Sequence, residues 1–185
     1  AEDETNVTMG RLALERAIDS CADRSVYSPE LARLQTSWAT KYHLGSARSH
    51  LFKPVEQLLK GKSVLEIGSG CGAITRYLGE VGSNVLALEG SPRRARIGRK
   101  RTRELANVTV LNERFGDFDN ELRFDVVTLI GVLEYAAMFG DAENPHLAML
   151  EQASRLLKPG GTLLVAIENQ LGLKYFTGAL EDHLG

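Results

Sequence analysis

The residues best placed for chemistry in this chain are carboxylates at the ends of apolar runs and glycines set two apart. The first group is Val64-Leu65-Glu66-Ile67-Gly68-Ser69-Gly70-Cys71-Gly72, an apolar run that opens into three glycines and then into a helical stretch from Ala73. Glycine lets a backbone turn tightly and approach a ligand without a Cβ in the way. The helix start that follows presents unpaired N–H groups. Loops that cradle a pyrophosphate favour G-x-G-x-x-G, whereas this one is G-x-G-x-G with Glu66 two residues ahead. A carboxylate there would repel a pyrophosphate and suits a cationic ligand. The same glycines could also serve packing alone.

A second acid, Glu89, ends the next apolar run, Leu86-Ala87-Leu88-Glu89-Gly90-Ser91, twenty-one residues after Gly68. An acid at about that distance reaches a ribose hydroxyl pair, and a carboxylate on a cis-diol is a bidentate, charge-assisted contact. A solvated strand-end acid reads the same way in isolation. Phe115-Gly116-Asp117-Phe118 follows a third β-rich run. There an acid can accept an adenine amino proton while a ring packs on the base, although loop and core roles fit both residues equally. Glu134-Tyr135 follows a fourth run, Phe124–Leu133. Glu134 could orient an acceptor or take its proton, or be an ordinary loop acid. The histidines, His43, His50, His146 and His183, have no metal-ligand spacing with one another or with Cys21 and Cys71, so no metal site is expected. Cys71 has no readable His–acid partnership that would make it a nucleophile.

These side chains need a scaffold that brings several strand ends to one edge. Short β-rich runs at Ser63–Ile67, Asn84–Leu88, Val108–Leu111, Phe124–Ile130 and Thr162–Ile167 alternate with helical stretches at about 72–80, 92–106 and 142–157. Near-continuous Val, Leu and Ile in such runs indicate strands covered on both faces, hence a parallel sheet wound with helices. Right-handed crossovers place the C-terminal strand ends on one rim, where ligands of such folds bind. Before residue 62 the pattern is helical throughout. Ser28-Pro29-Glu30 reads as a helix start leading into Leu31, Leu34 and Trp38. Leu51, Phe52, Val55, Leu58 and Leu59 form a stripe in which Pro54 should kink or restart the helix and Gly61 should stop it. The expected organisation is a helical extension over 1–61, packing on the rim, and an α/β core over 62–185. Lys158-Pro159-Gly160-Gly161 reads as a turn without a chemical role.

Composition narrows the class. The chain has 185 residues, a formal net charge of −2 and a hydrophobic share of 43%. That balance gives no whole-chain reason to expect nucleic acid as partner. The seven basic residues from Arg93 to Arg103 (Arg93, Arg94, Arg96, Arg99, Lys100, Arg101 and Arg103) read as a solvated helix face, since no aromatic residue is interleaved for stacking. An acidic start, no long apolar run and two cysteines point to a cytoplasmic protein without membrane insertion.

Taken in order, these blocks resemble the class I S-adenosylmethionine-dependent methyltransferases over roughly residues 62–168. The resemblance implies a Rossmann-like three-layer α/β sandwich with a mainly parallel sheet of order 3-2-1-4-5. It also implies S-adenosylmethionine as cofactor and S-adenosylhomocysteine as product. Gly68, Gly70 and Gly72 would line the methionine portion with Glu66 beneath and Ser69 and Cys71 as pocket neighbours. Glu89, with Gly90 and Ser91, would hold the ribose, Asp117 and Phe118 the adenine, and Ile130-Gly131 the amino-acid end. A fainter likeness, in Tyr42-His43-Leu44, Arg48 and the tail from Ile167 to Phe176, is to methyltransferase modules found with bacterial glycosyltransferases of surface-polysaccharide assembly. It implies a glycan acceptor and a fused or associated glycosyltransferase.

The chain departs from the family where many relatives carry Glu-His, since it has Glu134-Tyr135; the candidates for a base are Glu134, Tyr135 and His43. No Asn-Pro-Pro-Tyr-type tetrapeptide follows the fourth run, so the signature of amino-group methylation on exposed bases or glutamine is missing. Complete relatives add a terminal strand hairpin, and only 18 residues follow Ile167, which implies a fragment or an abbreviated sheet. The expected function is methyl transfer to a small-molecule or glycan acceptor. An NAD-dependent oxidoreductase and a non-catalytic nucleotide-binding module serving a glycosyltransferase are the alternatives.

Overall fold

Four of the five β-rich runs become strands with the expected bounds: β1 (Ser63–Ile67), β2 (Asn84–Leu88), β3 (Val108–Leu111) and β4 (Phe124–Ile130). The computed structural model describes residues 14–139, 142–167 and 172–178. The fifth strand, β5 (Leu157–Ala166), starts earlier than expected and takes in Lys158-Pro159-Gly160-Gly161. Its register against β4 jumps from Phe124↔Leu157 to Val126↔Thr162, so that segment bulges out of the ladder. Proline has no N–H to lose there. All strand pairs are parallel and the sheet order is β3-β2-β1-β4-β5. The crossover helices are α4 (Ala73–Glu80), α5 (Pro92–Thr102) and α7 (Pro145–Arg155), with a one-turn α6 (Ala136–Phe139) after β4. Two apolar clusters fill the layers: Val64, Tyr77, Val85 and Val126 belong to one, Leu65, Leu88, Val127 and Leu129 to the other.

The prefix is helical as expected, but two of its details differ. It comprises α1 (helical over 14–20), α2 (Pro29–Arg33), α3 (Trp38–Leu44) and a 3-10 helix over Ala47–Leu58. Ser28 caps α2 through Leu31 N–H at 3.2 Å. Trp38 does not continue the Leu31–Leu34 stripe. A capping box between Ser37 and Thr40 starts a new helix at Trp38, whose ring is 72% exposed. The third segment winds with three residues per turn, so Ser49, Phe52 and Val55 align inward while Leu51 and Leu58 face water. A period of 3.6 would have placed all the leucines on one stripe. Val26, Phe52 and Leu59 share a core cluster with β1 and α4, so prefix and sheet share apolar packing.

The basic run on α5 is not a merely solvated face. Arg96 pairs with Glu15 at 2.9 Å, and Lys100 with Glu15 and Asp19 at 2.9 and 2.6 Å. These two bases, with Arg96 foremost only in exposure, hold the Glu15 carboxyl below its usual range, Lys100 contributing most. Arg101 turns inward, fully buried, and donates to the carbonyls of His43 and Leu44 at 2.6 and 3.3 Å. It thereby satisfies the open C-terminal end of α3. Burial pushes its pKa down to about 10. Arg101→Met would spare the buried charge but leave both carbonyls unpaired, and should cost about 2 kcal/mol of stability in urea unfolding. An unchanged midpoint would show that water replaces the guanidinium.

Candidate functional site

The C-terminal ends of β1, β2 and β4 converge on the loop that follows β1. Gly68 has φ +72°, and a Cβ there would meet Val132 Cγ2 at 2.5 Å. Gly72 has φ +79°, and its Cβ would stand 3.0 Å from Gly98 Cα, so α5 approaches the loop backbone to backbone. Both positions need a residue without a side chain. The N–H groups of Gly68 and Ser69 both donate to the Leu88 carbonyl at 2.9 Å, tying the loop to the end of β2.

Glu89 locks the arrangement. One carboxylate oxygen accepts from Gly70 N–H at 2.7 Å and the other from Ser91 N–H at 2.8 Å. Its backbone carbonyl accepts from Glu113 N–H and the Asn112 amide, at 3.1 and 2.9 Å. Each carboxylate oxygen retains a further lone pair for a hydroxyl. Sequence spacing pointed to a ligand contact and missed this bracing role, which depends on where the loop folds. Ser91, expected beside the ribose, serves as N-cap of α5. Gly90 lies against Arg114, whose Cγ would be 3.1 Å from a Cβ there.

Glu66, the penultimate residue of β1, is in register with Thr128 of β4 and Ala87 of β2. It is 3% exposed, and its pKa is pushed up to about 7. Burial is the main cause; the Arg48 guanidinium acts against it, and Glu89 adds to it. Among the described residues, Glu66 Oε2, Ser69 Oγ, Thr75 Oγ1, Thr128 Oγ1 and Glu134 Oε2 are buried without a hydrogen-bond partner. Buried polar atoms are normally satisfied. Glu66 and Ser69 belong to the strand–loop–helix turn, Thr75 to the first turn of α4, and Glu134 to the segment after β4.

The remaining expected residues are distributed around this rim. Asp117 is exposed in the 3-10 turn after β3, whereas Phe118 is 6% exposed within the apolar cluster beneath the sheet edge. Ile130 ends β4, and Gly131 N–H donates to the Ala166 carbonyl at 2.8 Å. Cys71 is buried. Tyr135 N–H closes a turn onto the Val132 carbonyl at 3.0 Å. His43 lies in α3, its ring edge-on to Tyr42 with centroids 5.0 Å apart. Arg48 is the notable addition: its Nη2 would be 3.3 Å from a Cβ on Gly131, and Glu134 Oε1 would be 3.8 Å from the same point. The prefix therefore delivers a guanidinium to the loop after β4. Of the tail expected to extend the likeness, residues 168–171 lie outside the described residues. No group of three or more potential metal-ligating side chains stands together among the described residues, and no helix there is long and apolar enough to cross a membrane.

Comparison with known proteins accords with this geometry. Residues 65–163 match the model of a methyltransferase domain family, Methyltransf_12. A mitochondrial ubiquinone biosynthesis O-methyltransferase of Dictyostelium discoideum is 26% identical over 141 residues, covering 69% of this chain and 41% of that protein. A demethylmenaquinone methyltransferase of Tropheryma whipplei is 33% identical over 106 residues, 57% of this chain and 41% of the relative. The chain thus spans about two fifths of the length of these relatives. In fold it is similar to the N-methyltransferase NodS of Bradyrhizobium japonicum, solved with S-adenosylhomocysteine, at a TM-score of 0.57 and 20% identity over 84% of this chain and 71% of that one. The CcbJ methyltransferase of Streptomyces caelestis gives a TM-score of 0.52 at 28% identity, covering 60% and 48%. With its sheet order, its glycine loop and more than half of its length matched to the family model, this chain belongs to the class I S-adenosylmethionine-dependent methyltransferase family.

Proposed function

We propose that this chain binds S-adenosylmethionine at the Gly68–Gly72 loop and directs its methyl group to a small-molecule acceptor. The carrying observation is the Glu89 brace between Gly70 and Ser91, set beside buried polar atoms that lack partners. When bound, the cofactor would supply a methyl carbon to which an acceptor nucleophile bonds as the carbon–sulfonium bond breaks, with S-adenosylhomocysteine as the leaving group. The protein's share is alignment and exclusion of water.

Glu66 and the glycine loop would hold the cationic amino-acid end, and Arg48 beside Gly131 would face its carboxylate. Glu89 would accept from the ribose hydroxyls and Asp117 from the adenine amino group. The buried ring of Phe118 supports the floor under that end rather than an exposed stacking face. Glu134, with Oε2 buried and unpaired and Oε1 turned toward Gly131, is the group best placed to receive a proton from the acceptor, ahead of Tyr135 and His43. A quinone-type or amino acceptor draws support from the relatives' names. A glycan acceptor and an associated glycosyltransferase rest on the Tyr42-His43-Leu44 and Arg48 likeness. Calorimetric titration of the protein should show S-adenosylhomocysteine binding and no NAD binding. NAD binding without S-adenosylhomocysteine binding would replace this reading with an oxidoreductase. Tight cofactor binding with no transfer to any acceptor class would leave a binding module.

A further inference from the structure

Helix α3 brings to the rim side chains that cofactor binding does not use. Trp38 and Tyr42, one helical turn apart, stack with ring centroids 5.0 Å apart and planes 14° from parallel. The Arg48 guanidinium carbon lies 4.7 Å from the Tyr42 centroid, so Trp38 and Arg48 flank that ring. Arg48 also reaches Gly131 in the loop after β4. The layers Arg48, Tyr42 and Trp38 thus lead outward from the site, and the outermost ring is 72% exposed. An exposed tryptophan in such a stack has a large apolar face and no cover among the described residues.

The charge around the stack has one sign. From Leu31 to Val55 the chain carries Arg33, Lys41, Arg48 and Lys53 and no carboxylate. The flanking acids are already engaged: Glu30 accepts from Ala22 N–H at 2.9 Å and Glu56 from the Tyr77 hydroxyl at 2.5 Å. Lys41, three residues after Trp38 on the same helix, is exposed and has no ion pair among the described residues. At the stack's inner end Glu134 stands beside Gly131, and the Glu66 carboxyl lies close enough to feel the Arg48 charge. An acceptor lying along the layers would have its attacking end by the acid and its far end between an indole face and an ammonium.

We propose that Trp38 and Tyr42, backed on the cofactor side by Arg48, form the acceptor platform, receiving the flat face of a ring that carries an anionic group, with Lys41 as counter-charge. This rests on the methyltransferase reading above and assigns the acceptor class within it. Aromatic acids and sugar phosphates share that chemistry. Trp38 is the chain's single tryptophan, so its emission reports on the platform directly.

The test is a fluorescence titration with 4-hydroxybenzoate and glucose 1-phosphate against their neutral counterparts phenol and glucose. At least one anionic probe should quench Trp38 saturably and bind more tightly than its neutral counterpart, and the responding probe identifies the ring type. Lys41→Ala should weaken that probe about threefold, and Lys41→Glu should abolish its advantage over the neutral ring. In activity assays Trp38→Ala should raise the acceptor KM about tenfold with little change in kcat. No saturable quenching, equal responses to charged and neutral rings, or stronger quenching by oligouridylate than by either small ring would overturn the proposal. S-adenosylhomocysteine affinity, measured in parallel by calorimetry, separates the two layers of inference. Its loss would sink the methyltransferase reading, whereas normal affinity with a silent Trp38 would sink only the platform.

Discussion

Glu89→Ala should both loosen the fold and empty the cofactor site. The substitution deprives Gly70 N–H and Ser91 N–H of a charged acceptor at 2.7 and 2.8 Å. Hydrogen bonds to a charged group contribute about 1.5–3 kcal/mol each, and the two share one carboxylate, so a total loss of about 2–4 kcal/mol is expected in urea unfolding. Affinity for S-adenosylhomocysteine should fall by about 1–3 kcal/mol, or roughly 5- to 150-fold. Glu89→Gln separates the two effects. Its carbonyl can still accept one of the N–H groups while its amide cannot accept the other, so part of the stability should return with little of the affinity. Native affinity in the alanine variant would remove Glu89 from the site and leave it a purely structural brace.

Glu66→Gln should act in opposite directions on the empty protein and on the complex. The carboxyl ordinarily titrates at 4.5 and in the folded chain at about 7, chiefly because it is buried. A raised acid pKa means that the folded state disfavours the charged form. That penalty is absent below 4.5, grows as pH rises to about 7 and is complete above it. At pH 8 the glutamine variant should therefore be more stable than the parent by about 3 kcal/mol, and the difference should vanish by pH 4. Binding reverses the sign. A cationic ligand favours the ionised carboxylate, so cofactor binding below pH 7 should release a proton and affinity should rise with pH up to that point. Calorimetry in two buffers of different ionisation enthalpy would measure the proton directly. The variant should release none and bind about tenfold more weakly at pH 8. A variant with no stability gain and unchanged affinity would show that Glu66 is already solvated by water within the sheet.

The strands were legible because each is a run of β-branched and leucine side chains whose burial on both faces leaves little other choice. The glycine loop was legible for a related reason: three positions at one spacing need backbone freedom that few other residues supply. Less visible were features that depend on distant partners. Glu15 and Asp19 meet Arg96 and Lys100 some eighty positions later in the chain, so a basic helix looked merely solvated. Leu51 and Leu58 fit a helical stripe as well as Phe52 does, and only the tighter 3-10 winding turns them outward. Phe118 and Ser91 sat in the expected motif, but packing and capping claim them first.

One contact has a mechanical corollary. Because Gly72 and Gly98 meet with no side chain between them, α5 has no slack against the glycine bend, and the same helix grips the end of α3 through Arg101. It acts as a strut: whatever stiffens the nucleoside end should also steady the indole shelf, so occupancy at one station should sharpen affinity at the other and favour an ordered sequence of ligand entry.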